Sequence, residues 1–356
     1  MLWIPESGGG WMGFLFRAWR NFGWMGVDLF FVLSGFLVGG LLIREQHYSG
    51  TLRPWMFLVR RGLRIYPAFY IFLFLSLFLS HVVGLTFQTW PSGFWSELFF
   101  FQNYVPGLWP QTWSLAVEEH FYILLVWALV WMCKKRASAK NSFHALPKLV
   151  LMINVSLLLG RVLMSYVAHA SWSVLTFQTH WRLDSLLFGV LLAYGVDHHP
   201  DFLRQWRMTL HGWRWMGIPL LIVPSMVMNL TEDRYVSTFG ATALYLGFGW
   251  VLIEVLHQRV ISAPKTAPVS ALFSIIGKYS YSIYLWHFTL YYIGFAYIHR
   301  KLGWHLPLAV NCVGFMVLAI IGGIVMSCAI EQPFLYWRNR WFPSPTTSLT
   351  ESYVRR

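Results

Sequence analysis

Apolar residues in this chain come in runs of about twenty, divided by short polar stretches. Nine runs can be marked, at roughly 24–43, 66–86, 114–133, 147–167, 181–196, 215–231, 236–256, 279–298 and 306–330. A run of that length, wound as an α-helix, spans ~30 Å of hydrocarbon. The pattern therefore predicts an all-α, polytopic membrane bundle of about nine transmembrane helices. The fifth run is short, so its helix is expected to tilt or to be shielded by its neighbours. No internal repeat or soluble domain interrupts the pattern. It reads as one membrane domain over 24–335, an extracytoplasmic N-terminal segment over 1–23, and a disordered cytoplasmic tail over 336–356. The segment MLWIPESGGGWMGF has no basic stretch followed by a long apolar one, so no cleavable signal peptide is predicted.

Composition agrees with a membrane protein. Hydrophobic residues make up 57% of the chain and charged residues 12%, with a mean hydropathy of +0.51. That is too little charge to cover a soluble domain of this length. The net charge of +13 would suit a nucleic-acid partner if it formed a patch. Here the basic residues are spread through short loops, so nucleic acid is not expected and the charge reads as topology. Loops after the odd-numbered runs hold 20 Lys and Arg residues against 5 on the opposite side. Basic loops stay in the cytoplasm, which puts the C-terminus there and the segment before Gly23 outside, in a plasma (inner) membrane. Cys133, Cys312 and Cys328 show neither finger spacing nor a C-x-x-C, so neither a disulfide framework nor a metal site is expected.

Four polar motifs lie in or beside the apolar runs. RRGLRIYP (60–67) places Arg60 and Arg64 one helical turn apart with Arg61 beside them. Three guanidiniums facing one way can hold phosphates through forked hydrogen bonds; equally, they can serve topology and contact lipid headgroups. WSLAVEEHFY (113–122) opens the third run with two adjacent carboxylates, costly inside a bilayer and so candidates for function. Glu118 and Tyr122 share a face, whereas Glu119 and His120 point elsewhere; Trp113 and Tyr122 also suit an interfacial aromatic belt. HWRLDSLLFG (180–189) brings Arg182 and Asp184 into the fifth run together, either as site-lining groups or as a self-neutralising pair. His180 and Asp184, at i and i+4, could act as base and orienter. GKYSYSIYLWH (277–287) carries His287 about 12 Å into the eighth run, among hydroxyls that suit proton transfer or merely a polar seam. Asp28 and Glu331 are further carboxylates near span ends. Walker, nucleophile-elbow and zincin signatures are absent.

Taken in order, GVDLFFVLSGFLVGGLL (26–42), RRGLRIYP, WSLAVEEHFY, the R-x-D of WRLDSLLFG, YSYSIYLWH and the E-x-P of IEQPF resemble the acyltransferase 3 family. The resemblance covers about 24–335. It implies a ten-span membrane enzyme, without an appended esterase-like domain, that O-acylates extracytoplasmic or lipid-linked glycans. The donor would be cytoplasmic acetyl-CoA or another acyl-CoA, with no metal. The family's first span carries an arginine and a catalytic histidine. No residue here matches them, so a further helix upstream of Met1 is expected, with residues 1–23 as the loop that would follow it.

On that reading Arg60, Arg61 and Arg64 bind the donor, while Trp113, Ser114 and Tyr122 contact the acceptor. Glu118, Asp184 and Arg182 line the reacting centre, with His287 or His180 as base if no upstream histidine exists. Partners would be acyl-CoA, the acceptor and membrane lipids. Two other classes remain: a flippase for a lipid-linked glycan, disfavoured by the lack of an inverted repeat, and a catalytically inactive homologue.

Overall fold

A computed structural model describes residues 11–135, 141–228, 233–261, 268–303 and 308–343. Among them there is no strand. In chain order the helices are α1 (Trp11–Ser49), α2 (Pro54–Val82), α3 (Ser92–Leu98), α4 (Trp113–Lys135), α5 (Leu146–Tyr166), α6 (Trp172–Phe177) and α7 (Thr179–His198). They continue with α8 (Pro200–Leu210), α9 (Arg214–Val227), α10 (Ala241–Ile261), α11 (Pro268–Thr289), α12 (Tyr297–Leu302), α13 (Leu308–Met326) and α14 (Gln332–Trp341). Wide π turns at Val236–Gly240, Leu290–Ala296 and Ser327–Glu331 join α10, α12 and α14 to what precedes them.

Among the described residues, each of the nine apolar runs coincides with helix over most of its length. Six helical stretches are both long and apolar enough to cross a membrane: Gly23–Ser49, Pro54–Val82, Trp113–Lys135, Leu146–Tyr166, Val236–Leu256 and Val310–Trp341. The other three runs fall on α7, α9 and α11. α7 carries Arg182 and Asp184 within its length, and α9 has only 14 residues. The chain is a multi-pass membrane protein. Two boundaries differ from the sequence reading. Residues 11–23, expected as loop, are helical and continuous with the first span, because FLFRAWRNF carries no glycine or proline to stop it. Of the expected tail, residues 336–341 are helical; residues 1–10 and 344–356 lie outside the described residues.

The single membrane domain read from the sequence consists of two compact units, Met1–Leu52 with Val117–Ala263, and Arg53–Ala116 with Pro264–Arg356. The first is organised by α1 and α7. Their matched positions climb together: Asp28 meets Arg182, Gly35 meets Leu186, Gly39 meets Val190, and His47 meets Asp197. The two helices are therefore parallel. Gly35 and Gly39, spaced as small-xxx-small, let the backbones approach closely, and Gly189 does the same from α7. Val32, Leu192, Tyr245, Leu252 and Ile253 fill the core where α10 joins them. Met25, Leu244 and Phe248 form a second core.

In the second unit α2, α11 and α13 pack through aromatic residues. Phe72 meets Trp286 edge to face at 5.1 Å, and Gly323 admits the backbone of Ile283. Between α2 and α4 the chain folds over α3, outside the spans. Glu97 anchors this segment: its Oε1 accepts the backbone N–H of Trp109 at 2.7 Å and the hydroxyl of Thr112 at 3.1 Å. Burial pushes the carboxyl up to about 7, with those two donors pulling the other way.

The sign of the linkage follows directly. Between the ordinary carboxyl range near 4.5 and about 7, the folded state keeps a proton that the unfolded chain releases. Stability from this group is thus complete at low pH and falls as pH rises to about 7. Glu97→Gln is expected to stabilise the protein above pH 7, by up to about 3 kcal/mol, and to change little near pH 4.5. Melting curves of both forms across that range check this; a stabilisation independent of pH would overturn it.

Candidate active site residues

The first unit buries four charges in one group. Asp28 on α1 pairs with Arg182 on α7, and Asp184 on α7 pairs with Arg161 on α5 at 2.6 Å. Arg161 also donates to the Trp181 carbonyl at 3.1 Å and to the Thr242 hydroxyl at 3.0 Å, while the Ser185 N–H holds the other Asp184 oxygen at 2.9 Å. Phe31 lies under the Arg182 guanidinium, 5.5 Å from ring centroid to carbon. Two anions and two cations cancel, which is how charge is tolerated away from water. The Nε–H groups of Arg161 and Arg182 are buried without a protein hydrogen-bond partner.

Of the two readings of Arg182 and Asp184, the self-neutralising pair is not formed. Residues two apart on a helix point in nearly opposite directions, so each finds its partner on another helix. Nor is the His180–Asp184 dyad formed: His180 is exposed at the start of α7, its ring against Trp181 at 5.1 Å, and the Asp184 carboxylate is taken by Arg161 and Ser185. Arg161 lies outside the four sequence motifs. An arginine inside a run as apolar as LVLMINVSLLLGRVLM was the signal that could have flagged it.

A second group in the same unit centres on Glu118. Its Oε1 accepts from the Tyr122 hydroxyl at 2.9 Å, which in turn accepts from Ser34 on α1 at 2.7 Å. All three are buried. The i, i+4 placement thus yields a carboxylate–phenol–hydroxyl line. The neighbouring Glu119 is equally buried, and His120 meets the Thr179 hydroxyl at 2.7 Å.

In the second unit, at the start of α4, Trp113 is buried and Ser114 donates to Tyr284 at 2.7 Å; Tyr284 donates onward to the Gln111 carbonyl at 2.7 Å. His287 donates from Nδ1 to the Tyr284 carbonyl, a group that can only accept, so the neutral ring carries its lone pair on Nε2. Glu331 accepts from Ser282 at 2.7 Å and Ser327 at 2.8 Å, which ties the E-x-P motif to α11. Arg60, Arg61 and Arg64 are half-buried on α2, and Arg338 on α14 adds its charge to theirs. Arg60 also donates to the Phe342 carbonyl. The arginines, Trp113, Ser114 and His287 thus belong to the second unit, and Glu118, Tyr122, Arg182 and Asp184 to the first.

By sequence the chain falls in a known class of acyltransferase domains. A family model described as an acyltransferase domain matches residues 1–330, and the chain belongs to the acyltransferase 3 family. It is similar to an inferred O-acetyltransferase, SAR0937, of Staphylococcus aureus (strain MRSA252), at 27% identity over 92% of this chain and 56% of that protein. It is also similar to the O-acetyltransferase OatA of Staphylococcus aureus (strain NCTC 8325 / PS 47), at 26% identity over 86% of this chain and 52% of that protein. The chain spans about half the length of these curated relatives. No solved structure matches it.

Proposed function

We propose that this chain transfers an acyl group, acetyl by preference, from cytoplasmic acyl-CoA to a hydroxyl of an extracytoplasmic or lipid-linked glycan. The observation that carries the reading is the buried Glu118–Tyr122–Ser34 line in a chain of the acyltransferase 3 family. A carboxylate held by a phenol inside a membrane helix is poised to orient or exchange a proton during acyl transfer. The unpartnered Nε–H groups of Arg182 and Arg161 supply donors for an oxyanion that develops as the hydroxyl attacks the thioester. Trp113 and Ser114 in the second unit, and Tyr122 in the first, are assigned to the acceptor. The positive-inside bias supports a cytoplasmic C-terminus, and on that reading Arg60, Arg61 and Arg64 face the side where the CoA phosphates arrive. His287, with Nε2 as its free lone pair, is the base that the chain's own residues offer; His180, exposed and away from Asp184, is set below it.

The test uses Glu118→Gln, which keeps shape and most hydrogen bonds but removes the charge. Acetate on surface glycan, read by mass spectrometry, is expected to fall about 100-fold or more with expression unchanged. Unchanged acetylation would sink the assignment of Glu118. In parallel, Arg64→Ala should weaken acyl-CoA binding by about 1.5–3 kcal/mol, the worth of a charge-assisted hydrogen bond.

A further inference from the structure

We propose that His47, Asp197 and His198 bind a divalent transition-metal ion of the zinc type and thereby clamp the last turns of α1 and α7. The three residues come from two stretches 150 residues apart, which explains why no metal motif is visible along the chain. Their donor atoms converge. Nδ1 of His47 lies 3.1 Å and Nδ1 of His198 lies 3.2 Å from the same oxygen, Oδ2 of Asp197, and all three atoms fall within 4.8 Å of one another. Tetrahedral zinc, with bonds of about 2.0–2.2 Å to imidazole and carboxylate, spaces neighbouring donors about 3.3 Å apart.

A hydrogen-bonded triad is the competing account, and it covers only half of the contacts. His47 makes a hydrogen bond to Asp197, whereas Nδ1 of His198, equally close at 3.2 Å, makes none to that oxygen; His198 has the Tyr194 backbone as its hydrogen-bond partner. A cation seated among the three atoms engages both imidazoles and the carboxylate at once. Two imidazoles and one carboxylate are also a donor set that zinc accepts readily.

The surroundings hold the ligands in place. The ring of Tyr194, one turn back on α7, stacks on His198 at 4.5 Å and 13°, and Asn141 fixes the Tyr194 hydroxyl at 2.9 Å. His47 is exposed, so an ion can reach the site and keep a water as its fourth ligand. Binding needs the Nδ1 lone pair of both imidazoles: a neutral ring protonated on Nδ1 moves that proton to Nε2 by exchange with solvent, and a doubly protonated ring releases its Nδ1 proton to solvent.

The test takes the full chain in detergent, stripped with EDTA and then equilibrated with zinc chloride. The unmutated chain should retain about one zinc ion more than the His47→Gln/His198→Gln double variant, and zinc should raise the melting temperature of the former only. Equal zinc contents in two proteins that melt alike without metal would overturn the proposal. Cobalt(II) loaded into the unmutated chain gives a readout that needs no variant. Intense visible bands of a four-coordinate site are expected, and a weak, solvent-like octahedral spectrum would equally overturn it.

Discussion

Gly35→Ala is expected to lower the melting temperature of the purified protein, even though alanine is the better helix former by about 1 kcal/mol. A Cβ at Gly35 would stand 1.9 Å from the Leu186 carbonyl oxygen, and one at Gly189 would stand 2.2 Å from that of Val32. Both obstacles are main-chain atoms of the facing helix, so no change of side-chain rotamer relieves them. The helices must separate. Overpacking of this kind costs about 1–3 kcal/mol even when side chains can yield, and here the separation also strains the Asp28–Arg182 pair two turns away. Gly26, on the same helix, has nothing within 4 Å of its would-be Cβ. Gly26→Ala is the control, expected to be neutral or slightly stabilising. Should Gly35→Ala melt at or above the unmutated protein, the close α1–α7 contact is wrong.

Arg161→Met is expected to destabilise the fold severely, whereas Arg161→Met combined with Asp184→Leu should recover most of the loss. The single variant leaves Asp184, 1% exposed, with its charge uncompensated. Breaking one side of a buried ion pair costs about 3–5 kcal/mol, against a total stability of about 5–15 kcal/mol. The double variant removes both charges and leaves Asp28 and Arg182 as a neutral pair, so desolvation no longer counts against folding. Melting of the three variants beside the parent decides it; a mild Arg161→Met would show that the pair is not a structural unit. The double variant also separates stability from chemistry. If it folds yet acylates nothing, the Arg161–Asp184 pair is part of the reacting centre that we propose.

Much of this molecule was legible along the chain. Runs of about twenty apolar residues have to satisfy their backbone groups internally, so helix was the available answer, and among the described residues each of the nine runs is mostly helical. Contacts within one helical turn were also legible: Glu118 and Tyr122, four apart, do meet. Where helices begin and end was less so. The stretch over 11–23 was read as loop because it is not uniformly apolar, yet it continues α1 without a break, since polarity ends a membrane run but not a helix.

What the tertiary structure decided was partnership. Arg182 and Asp184 sit side by side in sequence and apart in space, because successive helical positions rotate by about 100°. Their true partners, Asp28 and Arg161, come from α1 and α5, more than a hundred and just over twenty residues away. No periodicity carries that information; it depends on which helix faces meet. The glycines are the same kind of case. Gly26, Gly35 and Gly39 look alike in GVDLFFVLSGFLVGG, and only the approach of α7 separates the one that faces open space from the two that a neighbouring helix fills. The sequence by itself determined that the chain is helical, membrane-embedded and marked with the motifs of its family. Which buried charges neutralise one another, and which small residues are indispensable, was settled only by the packing, because both depend on atoms contributed by a different helix.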